Sequence, residues 1–505
     1  LPGAVVLSSD GASAITDMDG KYTIEVQPDA VLTFTMLGFK DVQEKVSGQS
    51  ELNITMTDDV QLLDEIVVVG YGTQSRKTLT TSVAKISGEK FEDVPVTTVG
   101  DAIKGKVSGL RVATSNTTAG SEPRFLIRGG SSISMSNDPV VIVDGLTRTL
   151  ADINPNDIES IEVLKDAASA GIYGARASNG VILVTTKKGN TYRKPEIVFE
   201  ATVGYTQPER FWNLMNSEEY LAWVRPAALQ GPNSAVILNG ANGAGTGNTA
   251  SGSTYTTRFL EWGETVADGW KWMEDPINPG RYLTFTDTDY QRQWLRTALY
   301  HKEYVGVNGG NDKMRYMASM SFLGDDGMVN MNKHNAFTMH SNVSFKVTDN
   351  LEASTKLDFS RTVTNTLVDN YFDSYGRSVM LAPTHRDFDE DGRWITGGTN
   401  KNQQIASFYD KFYDREKGYE RFTGSFNLKW NILDGLTANA QYAIYNQTYS
   451  GSYYEHGEVN DTPNYISALR NTTETRSQLW RWNAQAFVNY NKAFGKHKVD
   501  ATAGF

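Results

Sequence analysis

From Glu196 to the last residue, apolar and polar side chains alternate at every second position, in one run after another. In the run 351–360, leucine, alanine, threonine and phenylalanine alternate with glutamate, serine, lysine and aspartate. A period of two predicts strands with one apolar face and one polar face. The runs 337–347, 422–430 and 436–444 show the same pattern. We therefore predict nine strands, which begin near residues 197, 300, 314, 336, 351, 419, 435, 477 and 497.

The connections between these strands alternate in length. Long loops are predicted at about 207–299, 363–418 and 450–475, with a shorter one near 324–335, and tight turns at 310–313, 348–350, 433–435 and 494–497. A soluble sandwich with one hydrated face shares the side-chain alternation, so the connections decide between the two folds. Short turns at one end and long loops at the other are typical of a transmembrane barrel, which strands of about 9 to 11 residues can cross. Residues 191–505 thus predict the N-terminal part of a transmembrane β-barrel with long extracellular loops.

Nine is an odd number of strands, and the last predicted strand reaches the end of the chain. A bacterial single-chain barrel closes with an even number of strands and leaves no open edge in lipid. We therefore expect this chain to hold an incomplete barrel. The chain also begins within a β pattern, so we expect any export signal to lie outside it.

The chain before residue 191 has a different character. Residues 1–57 alternate short β runs, among them 4–7, 16–26, 31–36 and 52–56, with turns, which predicts a small, partial β-sandwich. Residues 58–74 form an acidic linker around a β-branched run, which favours a strand that can pair with another protein's sheet edge. Residues 75–190 predict a mixed α/β domain. It contains a helix over 101–109 and two strands, 160–164 and 180–186, around a glycine-containing segment.

Composition narrows the choice of function. In 505 residues the chain has 11% aromatic residues, 45 glycines and 14 prolines, which suits many strands joined by turns. No apolar run approaches the roughly 20 residues of a membrane-spanning helix. The absence of cysteine excludes disulfides and thiolate metal sites, and the net charge of −11 argues against nucleic acid as a partner. Neither a nucleophile motif nor an acid/base pair stands out, so we do not expect an enzyme.

Two stretches carry a family resemblance. The segment Asp64-Glu-Ile-Val-Val-Val-Gly-Tyr-Gly-Thr73 resembles the TonB box of SusC/RagA-like TonB-dependent outer-membrane transporters. Residues 153–189, which include Tyr173-Gly-Ala-Arg-Ala177, resemble the plug domain of these receptors. Residues 1–57 are similar to the carboxypeptidase-regulatory-like domain that precedes the TonB box in many of them. The resemblance implies a mainly β protein whose complete barrel has about 22 strands around the plug.

The resemblance also implies function and partners. We expect active import of a nutrient across the outer membrane, with TonB as the partner that pulls on the plug, energised through ExbB and ExbD. A SusD-like surface lipoprotein is expected to cover the loops, in a possible dimer of such pairs, with outer-membrane lipid around the barrel. The expected substrate is an oligosaccharide. The alternatives are a peptide importer of the RagA type, a siderophore or cobalamin receptor and, from a different class, a soluble glycan-binding β protein.

Two groups of candidate site residues have an expected role, the first in binding TonB and the second in a charged network of the plug. The TonB-binding residues are expected to be Asp64, Glu65, Ile66, Val67, Val68, Val69, Gly70, Tyr71 and Gly72. A charged network inside the barrel is expected from Arg128, Asp144, Glu162, Lys165, Asp166 and Arg176, with ordinary solvated charges as the alternative.

Loop residues supply two further candidates. Trp394, Tyr453 and Tyr454 are candidates for sugar contacts, although such aromatic residues also form membrane-interface girdles and pack loops together. Asp387, Asp389 and Asp391 have the spacing of calcium-loop ligands, with Gly392 at the turn position. The closing glutamate of such a loop is missing, because Gly398 occupies its position, and an acidic surface turn is the alternative. No other cofactor is predicted.

Overall fold

The structure is a computed structural model of the 505-residue chain. It divides into two compact units, residues 1–85 with 164–178, and residues 86–163 with 179–505. The residues that it describes are 4–17, 20–36, 41–56, 66–69, 72–75, 83–88, 98–113, 118–127, 129, 137–151, 153–166, 173–190, 194–209, 211–240, 243–247, 257–366, 376, 379–386, 413–455, 471–495 and 497–504.

The first unit begins with a four-stranded antiparallel sheet in the order β2-β1-β3-β4. Its strands are β1 Val5–Ser8, β2 Ser13–Ile15, β3 Val31–Thr35 and β4 Val42–Lys45. Val6, Leu32 and Phe34 form the buried core of this sheet. The prediction of strands within 16–26 and 52–56 was wrong. Tyr22, Ile24 and Val26, with Leu52, Ile54 and Met56, pack against the core from segments that have no ladder hydrogen bonds of their own.

A two-stranded hairpin follows, made of β5 Ile66–Val69 and β6 Gly72–Ser75. The next domain, which we call the plug, contains a five-stranded sheet and a two-stranded sheet. The strands are β7 Val83–Ser87, β8 Leu110–Ala113, β9 Arg124–Ile127, β10 Val140–Val143, β11 Leu146–Thr147, β12 Ile158–Leu164 and β13 Val181–Thr186. The larger sheet has the order β11-β10-β13-β12-β7, and β8 pairs with β9. The two predicted strands, 160–164 and 180–186, are confirmed.

Helix α1, Val99–Ile103, is shorter than predicted. It begins at the Thr98 cap, whose side chain accepts a hydrogen bond from the Asp101 backbone N–H. The predicted helix extended to Gly109, but Gly105 and Gly109 both have positive φ, which ends regular α-helix early. Two short 3-10 helices, Pro155–Asp157 and Ala175–Asn179, flank the central strands.

The remainder of the second unit is dominated by a nine-stranded antiparallel sheet, which we call the wall. Its strands are β14 Glu196–Thr206, β18 Ala298–Gly310, β19 Met314–Asp326, β20 Lys333–Thr348, β21 Leu351–Asn365, β22 Tyr413–Leu433, β23 Leu436–Glu455, β24 Asn471–Phe494 and β25 His497–Gly504. Each strand pairs with the next in chain order, and the four predicted tight turns connect β18 to β19, β20 to β21, β22 to β23, and β24 to β25. The prediction of nine strands is therefore confirmed.

The wall buries polar side chains and exposes apolar ones. Ser319, His340, Asn342, Ser360 and Thr423 are buried on the face that meets the plug, whereas large apolar side chains of the same strands are exposed on the other face, including Phe199, Val305, Met320, Phe345, Leu357, Phe426 and Tyr442. A soluble protein does the opposite. This inverted pattern matches a barrel with an apolar outer face and a polar interior.

The longest connection, between β14 and β18, folds into a compact structure that we call the loop lobe, residues 211–297. It contains helices α2 Ser217–Leu229, α3 Ser234–Asn239 and α4 Tyr290–Trp294, with strands β15 Thr257–Phe259, β16 Lys271–Glu274 and β17 Tyr282–Phe285. The prediction gave this region no secondary structure. Its core of Leu221, Leu283 and Phe285 is fully buried. Among the described residues, no helix of the chain is long and apolar enough to cross a membrane.

Candidate functional site

A cavity of about 450 Å³ lies between the plug and the loop end of the wall. The plug contributes Thr98, Gly120 to Phe125 and residues around Pro139 and Leu150, and the wall contributes inward-facing residues of β18 to β22. Six charged side chains line it, three of each sign: Glu122, Asp138, Asp325, Arg124, Lys302 and Arg421. Hydroxyl groups are also abundant, from Thr98, Ser121, Thr149, Ser321, Thr338, Thr362, Thr364 and Tyr419. Such a lining can exchange hydrogen bonds with a polar ligand.

One aromatic group borders this cavity on the wall side. The Tyr419 ring lies 5.0 Å from the ring of Tyr449, centroid to centroid, and the Arg421 guanidinium lies 4.4 Å from the centroid of Tyr419. Arg421 is also held by Gln447, whose side-chain oxygen accepts a hydrogen bond from Nε at 3.0 Å. These contacts fix the planar groups, so the cavity presents an oriented aromatic ring and a cation next to each other.

The plug closes the loop side of the cavity through a contact with the short connection between β19 and β20. Asn332, which is buried, accepts a hydrogen bond from the Ala119 N–H at 2.5 Å and donates one to the Asn365 carbonyl at 3.0 Å. Gly120 has a positive φ, and a Cβ at this position would overlap the His334 ring. Glycine therefore permits this close approach of the plug to the wall.

Below the cavity, three groups of polar contacts join the plug to the wall. Asp144 of the plug forms an ion pair with Lys356 of β21 at 2.6 Å and accepts a hydrogen bond from the Thr186 hydroxyl at 2.7 Å. Burial raises the pKa of the Asp144 carboxyl, but attraction and hydrogen bonding by Lys356 outweigh that effect, so this pKa lies below its ordinary value. Asp144 is therefore a carboxylate at neutral pH.

The second contact is centred on Asp358 of β21. Its carboxylate accepts a hydrogen bond from Arg148 of the plug at 2.6 Å, and its other oxygen lies 2.5 Å from Nδ1 of His340 on β20. Arg148 and His340 are almost completely buried. Buried charges of this kind are stable only when they are paired, so the plug and the wall each supply a partner that the other needs.

The third contact is made by the 3-10 helix at Pro155–Asp157. Asp157 accepts hydrogen bonds from the hydroxyls of Tyr304, at 3.1 Å, and Ser319, at 2.6 Å. Burial raises the pKa of the Asp157 carboxyl above its ordinary value. Asn156 donates a hydrogen bond to Glu200 of β14 at 2.5 Å. The plug is thus attached to the wall by polar groups at several separate places.

The predicted plug network is only partly described. Asp144 contacts the wall, Glu162 is buried within β12, and Lys165 and Asp166 are half-buried after the end of that strand. Arg128 and the side chain of Arg176 lie outside the described residues. The charges that the sequence analysis missed are Arg148, Asp157, His340, Lys356 and Asp358. The last three occupy inward-facing positions of predicted strands, so the strand period already contained a signal for them.

The other predicted sites are tested less by the structure. In the TonB-binding segment, the backbone of Ile66–Val69 is extended and Gly72 begins β6, whereas Asp64, Glu65, Gly70 and Tyr71 lie outside the described residues. Tyr453 and Tyr454 are half-buried near the loop end of β23 and do not line the cavity. Trp394 and the calcium candidates Asp387, Asp389 and Asp391 also lie outside the described residues. These roles stay predictions.

Comparisons with known proteins find domains and whole chains that are similar to this one. The family model of the TonB-dependent receptor plug domain matches residues 75–181, and that of the CarboxypepD_reg-like domain matches residues 1–68. The chain is 28% identical over 521 residues to TonB-dependent receptor P26 of Formosa agariphila, which covers 100% of this chain and 47% of that receptor. It is related to the SusC/RagA-like TonB-dependent receptors. The resemblance found in the sequence is confirmed.

Two further similarities agree with that relationship. The chain is 29% identical over 350 residues to the TonB-dependent receptor SusC of Bacteroides thetaiotaomicron, which covers 67% of this chain and 30% of that protein. The structure of the RagAB peptide importer in the open-open state matches with a TM-score of 0.70 and 25% identity, over 87% of this chain and 48% of that chain. The chain spans half or less of the length of these relatives. The relatives are receptors, which agrees with the prediction that the chain is not an enzyme.

Proposed function

We propose that the protein imports a polar nutrient across the bacterial outer membrane in a TonB-dependent manner. The observation that carries the proposal is the wall, which exposes apolar side chains on one face and holds the plug on its buried polar face. Lipid would cover the apolar face, and the cavity above the plug would receive the ligand. No chemical change of the ligand is required.

The proposed energy input is TonB, which pairs with the segment 64–72. The backbone of Ile66–Val69 is extended and paired on one side with β6, so TonB would add at its other edge. ExbB and ExbD would supply the energy. Pulling this segment would transmit force to the plug, which is attached to the wall by groups that water can replace.

Deletion of Asp64 to Gly72 in the full-length protein tests this proposal. We expect uptake to be lost while binding of ligand at the cell surface remains, because the deleted segment is far in sequence from the residues that line the cavity. A matched deletion of equal length in the loop lobe, residues 248–256, which include no tryptophan, should leave uptake dependent on TonB. Uptake that persists after the first deletion would exclude the assignment.

The proposed ligand is an oligosaccharide. The support is the hydroxyl-rich lining with an oriented tyrosine and three carboxylates, because sugars place an apolar ring face on an aromatic group and hydroxyls on carboxylates. A specific observation also favours a short peptide as the second candidate. Three carboxylates and three cations line the same cavity, and a zwitterion can pair with both signs. RagAB, a structural relative, is named as a peptide importer.

A SusD-like surface lipoprotein is proposed as the partner that covers the loop lobe. The support is the set of large aromatic side chains exposed on this lobe, namely Trp212, Trp223, Trp262 and Trp272. Purification of the full-length protein with this partner, followed by mass spectrometry of co-purified ligands, distinguishes the candidates. Recovery of saccharides supports the first ligand class. Recovery of peptides alone overturns it and leaves the transporter proposal intact.

A further inference from the structure

Two cavities lie against the same three strands of the wall. The cavity at the loop end contacts residues 334–338 of β20, 362–364 of β21 and 419–421 of β22. A second cavity, of about 380 Å³, contacts residues 342–344 of β20, 352–356 of β21 and 427–429 of β22. The second cavity therefore lies nearer the tight turns. Along β20, Asn342 comes four positions after Thr338, which corresponds to about 13 Å of extended chain.

Between the two cavities lie one inward-facing residue of β20, His340, and two of β21, Asp358 and Ser360. His340 on β20 and Asp358 on β21 occupy this level of the wall, and Arg148 of the plug completes it through its 2.6 Å ion pair with Asp358. Thr423, opposite Asp358, and Ser360, opposite Thr338, are also buried. Lys356, which pairs with Asp144 of the plug, lies at the margin of the second cavity. In the part of the plug that the structure describes, the side chains of Arg148 and Asp144 reach these wall residues.

Both of these residues belong to one small hairpin of the plug, β10 to β11. Asp144 and Gly145 form its two-residue turn, and both have positive φ, of 50° and 89°. This combination is the mark of a type I′ turn, in which Asp-Gly is a favoured pair. Strand β11 has only two residues and is the edge strand of the plug sheet. An edge element this short can move with the loss of few ladder hydrogen bonds.

Most of the plug core lies outside residues 144–148, in which Leu146 is the one buried apolar side chain. Its buried centre is formed by β12 and β13, where Ile158, Ile161, Val181 and Ile182 are fully buried. The hairpin touches the wall through polar contacts, including hydrogen bonds from Gln441 to the Asp144 carbonyl at 3.1 Å and from Arg481 to the Thr147 carbonyl at 3.3 Å. Water or a polar ligand can replace each of these contacts.

We infer that the ligand passes between the two cavities along β20, β21 and β22 when the 144–148 hairpin moves away from the wall, while the rest of the plug stays folded. The inference rests on the proposed import for the identity of the ligand, and on the geometry for the route. The second cavity suits a polar, hydroxyl-bearing ligand, because it is lined by five amide side chains: Asn342, Asn427, Asn439, Gln441 and Gln485.

Ion current through the purified full-length receptor in planar lipid bilayers tests this route, with potassium chloride as the probe. In the double variant Arg148→Ala/Asp358→Ala both charges of the plug–wall pair are removed, so neither is left buried without the other, while His340, the second partner of Asp358, stays in place. We expect this variant to conduct steadily and the parent to stay closed. The matched control Asn156→Ala/Glu200→Ala removes another plug–wall contact, on β14, and should stay closed. A closed Arg148→Ala/Asp358→Ala variant, or equal current in the control, overturns the inference.

A second pair of variants guards against misfolding of the first. Asp144→Ala/Lys356→Ala opens the same layer through its other contact and should also conduct. In addition, Ser354 lines the second cavity, and Ser354→Cys provides the single thiol of these 505 residues, whose labelling is read from the peptide that contains it. A charged, water-soluble thiol reagent added on the loop side should label this cysteine in either open variant, and labelling should be lost in the otherwise parental protein.

Equal labelling of Ser354→Cys in the open and parental backgrounds would place the route elsewhere. Neither measurement uses TonB or a nutrient. A receptor that failed to import any ligand would therefore contradict the proposed function without changing these currents, and closed variants would contradict the route without affecting the proposed function.

Discussion

The loop lobe and the plug–wall interface both contain buried ion pairs, but their surroundings differ. In the lobe, Arg225 donates two hydrogen bonds to Asp275, at 2.9 and 2.8 Å, and a third to the Ala244 carbonyl at 2.6 Å, next to an apolar core. At the plug–wall interface, the pairs of Asp144 and Arg148 are surrounded by serine, threonine and amide side chains. Separating the ion pair of the lobe would leave charges next to apolar side chains, so this pair stabilises the folded lobe. The ion pairs of the interface lie among polar groups, so they can separate and become hydrated.

The largest expected effect is on the lobe. Arg225→Ala leaves Asp275 buried without its cation and should destabilise the lobe by about 3 to 5 kcal/mol. Burial raises the pKa of Asp275, but hydrogen bonds from Arg225 and Asn278 outweigh that effect and hold this pKa below its ordinary value. The rate of limited proteolysis within the lobe measures this loss of stability. Arg292→Ala, which removes an exposed pair with Asp289, is the control and should change stability by less than about 0.5 kcal/mol.

A second prediction concerns the segment 382–386, which is attached to the lobe. Thr288 donates hydrogen bonds to the Pro383 and His385 carbonyls, both at 2.8 Å, and Thr384 donates one to the Gly243 carbonyl at 2.6 Å. His385 is buried, and burial lowers its pKa to about 4. A detached segment has the ordinary histidine pKa near 6.5 and binds the proton more readily. The attachment is therefore at full strength above pH 6.5 and weakens by up to about 3 kcal/mol as the pH falls to 4.

Hydrogen exchange of residues 382–386 between pH 7 and 4, corrected for intrinsic exchange rates, measures this effect. His385→Gln, which cannot be protonated, is the control and should show a flat pH profile. A profile as steep in the variant as in the parent would assign the pH dependence to another group.

At the plug–wall interface we expect coupling between the partners. Lys356→Met leaves the buried Asp144 carboxylate without its cation and should weaken plug attachment by about 2 kcal/mol, because a lone buried charge is costly. Asp144→Asn/Lys356→Met should recover most of that loss. Urea titration, followed by hydrogen exchange in the plug, measures each variant of the cycle. Additive effects of the two substitutions would show that the ion pair is not coupled.

The smallest expected effect is at Asp157. Because burial raises the pKa of this carboxyl in the folded protein, the folded state binds the proton more tightly than the unfolded state does. The stability of plug attachment should therefore fall slightly as the pH rises above the ordinary aspartate pKa. Asp157→Asn removes this dependence and keeps one oxygen that can accept from Tyr304 and Ser319. The stability of plug attachment is measured by the same urea titration at several pH values. If Asp157→Asn showed the same pH dependence as the parent, Asp157 would not be its cause.

The sequence predicted the wall well and the loop lobe poorly, for a physical reason. A strand that faces lipid on one side and polar groups on the other has a strict period of two, so the predicted start near residue 351 agrees with Leu351–Asn365, although the loop predicted from about 363 begins about three residues too early. The lobe buries Leu221, Leu283 and Phe285 from elements far apart in sequence, and short elements of this kind have little period of their own. At residues 21–26, side chains pack on the first sheet without strand pairing, which a pattern of side chains cannot distinguish from a strand.

Which residues pair across the plug–wall interface could not be predicted from the sequence. Asp144 was among the charged residues predicted for the plug network, but its partner Lys356 lies 212 residues later, and only the register of the wall brings the two together. Arg148 and Asp358 are 210 residues apart for the same reason. The polar strand face indicates which residues point inward, and it does not indicate which of them meets a given plug residue.

The length of the central wall strands has a further consequence. Strands β22, β23 and β24 have 21, 20 and 24 residues, whereas about 10 residues cross a bilayer. Their ladders of backbone hydrogen bonds continue through the extra length, from Leu436 to Glu455 without interruption in β23. In the proposed barrel the strands would be tilted by about 40°, so about ten further residues at roughly 3.3 Å each would carry the sheet some 25 Å past the hydrocarbon layer. A hydrogen-bonded rim of this height would hold a ligand or a partner clear of the lipid headgroups.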